Sequence, residues 1–174
     1  MARTNHSPPF ASFVLALSHS DRKYWLRSPV ATILGAKDQG PFSRVEESLV
    51  RILVADDNPT VRHSLRALLE QHEGWQVCGE AADGEEAVQR FQKTKPDLIV
   101  LDFRMPAMNG LEAARRIIRI SPATPILLVT LYMSEQLAAE ARKAGIRGTC
   151  AKADLECLIE AASTLLRDGT YFAS

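Results

Sequence analysis

From Leu49 onward, five strand-like segments, the first of them an apolar run with β-branched residues, alternate with helical stretches, and that alternation restricts the fold more than any other feature. Val50 to Ala55 reads as a first strand. Asn58 then caps a helix with Pro59 in its first position, and Val61, Leu65, Leu68 and Leu69 share one helical face. Trp75 to Gly79 reads as a second strand. Asp83, three residues before Glu86, opens a second helix with Ala87, Val88 and Phe91 inward. Leu98 to Leu101 and Pro125 to Val129 are a third and a fourth strand, with Leu111, Ala114 and Ile118 on the helix between them. A fourth helix from Ser134 to Ala144 stops at Gly145. Gly148 to Ala151 is a weak fifth strand. Asp154 caps a last helix carrying Leu158, Ala162 and Leu165, which stops at Gly169. Strands alternating with helices over this length predict a parallel sheet covered on both faces.

Residues 1–48 differ. They hold Ser7-Pro8-Pro9, Ser28-Pro29 and Gly40-Pro41 and keep no helical or strand period. They read as a disordered N-terminal extension, with the folded domain at 49–174. The run from Phe10 to Leu17 is short for a signal segment and contains Ser12. No apolar run nears the roughly 18 residues that a membrane span needs. Across the 174 residues, Lys plus Arg equals Asp plus Glu at 21 each. That balance gives no general pull toward nucleic acid or membrane. Cys78, Cys150 and Cys157 are odd in number and lack a CxxC spacing. They read as separate thiols acting as small buried hydrophobes, in keeping with a reducing cytoplasm.

Four sets of polar residues fall at the C-terminal ends of predicted strands: Asp56-Asp57, Asp102, Thr130 and Lys152. Ligands of open parallel sheets bind along that edge. Each residue alone is unremarkable as a cap, turn or surface group; together they point to chemistry. Three carboxylates in one crevice repel one another, and a hard divalent cation such as Mg²⁺ relieves the repulsion while keeping several waters. A carboxylate can serve as a phosphoryl nucleophile. The transferring group then needs a metal, a cation and a hydrogen-bond donor around it.

Residues 50 to 172 resemble the receiver domain of two-component response regulators. The segments Ile52-Leu53-Val54-Ala55-Asp56-Asp57 and Leu101-Asp102-Phe103-Arg104-Met105-Pro106-Ala107-Met108-Asn109-Gly110 carry the likeness. Leu128-Val129-Thr130 and Ala151-Lys152 follow, and Gly169-Thr170-Tyr171-Phe172 is similar to the linker start of receivers that precede a LuxR-type helix-turn-helix. The resemblance implies a flavodoxin-like α/β fold, doubly wound, with a five-stranded parallel sheet in order 2-1-3-4-5 and five helices. It implies that Asp102 accepts a phosphoryl group from a sensor histidine kinase or a histidine phosphotransfer protein, and that the domain is a signalling module rather than an enzyme. By the same likeness, Mg²⁺ is held by Asp57, Asp102 and the backbone carbonyl of Arg104, with Asp56 acting through a bound water. Thr130 and Lys152 contact the phosphoryl oxygens. A cytoplasmic location follows from such partners.

Two positions depart from the family pattern. Many receivers carry Tyr or Phe on the fifth strand as half of a switch, where this chain has Thr149; Tyr132, two residues past Thr130, is the stand-in aromatic in sequence. The chain also ends at Ser174 with no DNA-reading element. It therefore reads either as a stand-alone receiver, without nucleic-acid or membrane binding of its own, or as the receiver part of a LuxR-type transcriptional regulator. Whether it forms homodimers through the fourth helix, fifth strand and fifth helix is open at this level. A phosphatase of the haloacid dehalogenase type would need an acid where Arg104 stands. A flavodoxin-like cofactor binder would need a phosphate-cradling loop where Asp56-Asp57-Asn58 stands.

Overall fold

The computed structural model describes residues 49–172; the extension expected over residues 1–48 lies outside them. Six strands form one parallel sheet: β1 (Val50–Ala55), β2 (Trp75–Ala81), β3 (Leu98–Asp102), β4 (Ile126–Thr130), β5 (Gly148–Ala151) and β6 (Tyr171–Phe172). Their order is β2-β1-β3-β4-β5-β6. Five helices connect them: α1 (Pro59–Glu70), α2 (Gly84–Thr94), α3 (Gly110–Ile120), α4 (Glu135–Ala144) and α5 (Leu155–Leu166). The expected doubly wound order is present, with one strand more. The added β6 pairs Tyr171 with Gly148 and Phe172 with Thr149, and two residues are too few to display a strand period.

Successive side chains of a strand point to opposite faces, so strands covered on both sides read as unbroken apolar runs. Ile52, Val54, Val100, Leu127 and Val129 pack with Leu65 and Leu69 of α1 and with Leu158, Ala162 and Leu165 of α5. Leu53, Ala55, Ile99, Leu101 and Leu128 pack on the other face with Phe91 of α2, Ile117 of α3 and Leu137 of α4. The sheet core is therefore closed on both sides, and the strand ends are left to carry the polar groups.

The expected caps hold the helices. The Asn58 side chain accepts from the Thr60 amide at 2.9 Å. Asp83 accepts from Glu86 at 2.8 Å, and Glu86 accepts in return from Ala82 at 2.9 Å. Asp154 accepts from Cys157 at 2.8 Å, and Gly145 takes the left-handed conformation after α4.

The cysteines need a correction. The sulfurs of Cys150 and Cys157 are in contact, with Cα atoms 6.3 Å apart, within the span of a disulfide; only Cys78 is free. The seven-residue spacing hid this pairing, because Asp154 turns the chain so that α5 starts directly over β5. Among the described residues, no helix is long and apolar enough to cross a membrane.

Gly110 begins α3 against the end of β3. A Cβ there would run into the carbonyl oxygen of Asp102. Gly110→Ala should therefore destabilise the domain by about 1–3 kcal/mol, the usual cost of forcing atoms into a packed site. Urea unfolding measures it; an unchanged midpoint would show that α3 can move away freely.

Candidate functional site

The acidic crevice lies at the C-terminal edge of the central strands. Asp56 follows the last residue of β1 and is fully buried. Its Oδ1 accepts from the Asn58 amide at 3.0 Å, which ties the carboxylate to the same loop that caps α1. Asp57 is the next residue and is exposed. Asp102 ends β3 and is 3% exposed. Carboxylate oxygens of Asp56, Asp57 and Asp102 all lie within 4.8 Å of one another.

Lys152 reaches in from the turn after β5. Its Nζ is 2.5 Å from Asp56 Oδ2 and 3.0 Å from Asp102 Oδ1. Its backbone amide donates to the Thr130 carbonyl at 2.8 Å, so the lysine and the threonine are held together by the β4–β5 edge. Burial pushes the Asp102 carboxyl above its ordinary range, although the hydrogen bond from Lys152 and its charge pull the other way; the nearby Asp56 charge adds to the upward push. The same carboxylate receives a backbone hydrogen bond from Arg104.

All the donors of the acid cluster are carboxylate oxygens, which suits a hard cation such as Mg²⁺. Three carboxylates face one ammonium, and that charge deficit fits a divalent ion. The residues present are thus compatible with the metal that the sequence implied.

The structure gathers the carboxylates of Asp56, Asp57 and Asp102, sets Lys152 against Asp56 and Asp102, and places Thr130, 2% exposed, at the end of the adjacent strand. Thr130 Oγ1 accepts from the Tyr132 amide at 3.3 Å. The two switch positions are not brought into the crevice. Thr149 is fully buried, its hydroxyl without a hydrogen-bond partner among the described residues, between Leu128 and Phe172 in register. Tyr132 is 73% exposed, and its ring faces the Arg104 guanidinium at 5.7 Å. Phe172, in the sequence part of a linker-like segment, lies beside Thr149 and carries the Arg142 guanidinium 4.1 Å from its ring centre. Ala107, in the loop after Asp102, has φ +59°, a conformation that costs a residue with a Cβ. An apolar cleft lined by Phe91, Pro96 and Ile120 lies at the opposite end of the strands and holds none of this chemistry.

A family model described as the response regulator receiver domain matches residues 52–163. The transcriptional regulatory protein DegU of Brevibacillus brevis is 31% identical over 129 residues, which are 74% of this chain and 55% of that protein. The chemotaxis protein CheY of Thermotoga maritima is 35% identical over 97 residues, 56% of this chain and 80% of that protein. A crystal structure of a LuxR-family two-component response regulator from Aurantimonas sp. SI85-9A1 superposes with a TM-score of 0.68 at 35% identity, over 70% of this chain and 87% of that one. The chain spans about half the length of the transcriptional regulators it matches. With the fold, the acid cluster and these likenesses in agreement, the chain belongs to the response-regulator receiver family of two-component systems.

Proposed function

We propose that Asp102 takes a phosphoryl group from the phosphohistidine of a sensor kinase or a histidine phosphotransfer protein, and that the domain then presents an altered surface to a downstream partner. The observation that carries this reading is the buried Asp102 carboxylate, clustered with Asp56 and Asp57 and bonded to Lys152 at 3.0 Å. One Asp102 oxygen attacks phosphorus, the phosphorus–nitrogen bond to histidine breaks, and an acyl phosphate forms. Lys152 already contacts the attacking carboxylate and has only to transfer its hydrogen bond to a phosphoryl oxygen. Thr130 donates its hydroxyl to another. Asp56 keeps Lys152 aimed into the crevice, and Asp57, Asp102 and the Arg104 carbonyl serve as metal ligands. Mg²⁺, when bound there, offsets the charge of the carboxylates and of the incoming phosphoryl oxygens.

The receiver comprises residues 49–174 in this reading, and residues 1–48 stand outside it. Thr149 is short and stiff about χ1, so it cannot act as the rotating ring of other receivers, and Tyr132 is turned toward Arg104 instead. The surface change is accordingly smaller, or differently routed, than in receivers with an aromatic at that strand position. A second reading makes this domain the receiver part of a LuxR-type DNA-binding regulator, favoured by the likeness to DegU, of which the chain spans 55%. A reading frame that continues past Ser174 into a helix-turn-helix separates the two.

Incubation with a small acyl phosphate and Mg²⁺ should add one phosphoryl mass to the wild type and none to Asp102→Asn. Equal labelling of both in intact-mass spectra would refute the assignment. In excess chelator, wild-type labelling should fall to background; unchanged labelling would remove the metal from the reaction.

The raised Asp102 carboxyl has a stability consequence. The folded chain keeps this proton to a higher pH than the unfolded chain, so its contribution is fully present at low pH. It is lost as pH rises from the ordinary carboxylate value through the raised one. In chelator, Asp102→Asn should therefore melt above wild type at pH 7, and the gap should close below the ordinary carboxylate range. A variant that melts below wild type at pH 7 would show that the ionised carboxylate is not a burden on the fold.

A further inference from the structure

Arg62, on α1, takes no part in the chemistry above, yet it touches the backbone of both acids in the first loop. Its Nη1 donates to the Asp56 carbonyl oxygen at 2.7 Å and lies 3.4 Å from that of Asp57. Its Nε faces Glu80 Oε2 on β2 at 3.5 Å, and the arginine side chain is only 17% exposed. Glu80 is fixed in turn by Arg66 at 3.1 Å. Arg66 pairs with Glu70 at 3.3 Å, and Glu70 accepts from the Val77 amide at 3.2 Å. One guanidinium thus joins the acidic loop, α1 and β2.

The geometry matters because of Asp57. Among the described residues, no side chain holds its carboxylate, so its direction depends on the peptide units on either side. Those are the units whose carbonyls Arg62 gathers. A planar guanidinium presents several donors in a rigid fork, and it can bridge two carbonyls and a carboxylate at once; an ammonium is a point charge that cannot. The Arg62 charge alone would oppose a second cation nearby, but Glu80 faces it and offsets it. Charge and positioning therefore predict opposite effects on metal binding.

We propose that Arg62, oriented by Glu80, is a positioning residue for the divalent-cation site: it fixes the Asp56 and Asp57 carbonyls and so aims the Asp57 carboxylate. This rests on the reading of Asp56, Asp57 and Asp102 as that site.

The test is calorimetric titration of the full chain with Mg²⁺ alone, on wild type, Arg62→Met, Arg62→Lys and Glu80→Gln, each with its melting curve in chelator. Outer-shell partners of metal ligands typically shift affinity by about 10–100-fold when removed. Arg62→Met should weaken Mg²⁺ binding by about 10-fold, the low end of that range, with Arg62→Lys and Glu80→Gln weakened less. Tighter binding by Arg62→Met with no change in Arg62→Lys would mean that Arg62 acts only as a charge, and overturns the proposal. Lower melting with wild-type affinity in all three variants would make the role purely structural, and overturns it as well. A folded wild type that binds no Mg²⁺ would instead defeat the acid-site reading itself, and Arg62 with it.

Discussion

Lys152 Nζ stands 2.5 Å from Asp56 and 3.0 Å from Asp102, and much of the structure is arranged to put it there. Both carboxylates are almost completely buried. A buried charge without a partner is expensive, so the crevice can exist only because an ammonium from the far side of β4 reaches across the strand ends. That reach needs β5 beside β4 in register, with the Lys152 amide bound to the Thr130 carbonyl. It needs β1 and β3 to end at the same level, which their pairing of Ala55 with Leu101 provides. The parallel sheet is thus the device that converts four distant sequence positions into one electrostatic unit.

The unit is under-neutralised by design of its composition. Three carboxylates and one lysine leave room for further positive charge; the Asp102 carboxyl is raised chiefly by burial, and the neighbouring Asp56 charge adds to that rise. A stable fold would prefer neutral residues here. Under the proposed function, a site that receives a dianionic group on one of its acids would benefit from the opposite arrangement, since the lysine and a metal could be shared between carboxylate and phosphoryl oxygens. Gly110 adds a steric condition: α3 can close on the Asp102 carbonyl only because that position has no side chain.

What the sequence disclosed followed physical periodicity. Strands β1, β3 and β4 were legible because double-sided burial gives apolar runs, whereas β2 mixes buried with part-exposed positions; the helices were legible because Asn58, Asp83, Ser134 and Asp154 cap them with their own side chains. Asp56, Asp57, Asp102, Thr130 and Lys152 stood out because each falls at the C-terminal end of a strand. Other features left no such trace. Strand β6 has two residues and depends on the β5 edge for its existence. The contact of Cys150 with Cys157 arises from the turn at Asp154, not from spacing. Arg62 looked like one more charged residue on a helix surface, because its main partners are backbone carbonyls, which no residue pattern records. The place of Phe172 beside Thr149 was hidden for a related reason: it comes from cross-strand register.

The central claim is a covalent bond at one carboxylate. The most direct measurement is reductive trapping: treat the phosphodonor-labelled protein with borohydride, which converts an acyl phosphate to an alcohol, and sequence the peptides spanning Val50 to Arg62 and Leu98 to Arg115 by mass spectrometry. The expected result is homoserine at position 102 and aspartate at positions 56 and 57. Homoserine at either of those positions, or a phosphoryl group retained on a hydroxyl or ring nitrogen after reduction, would contradict it.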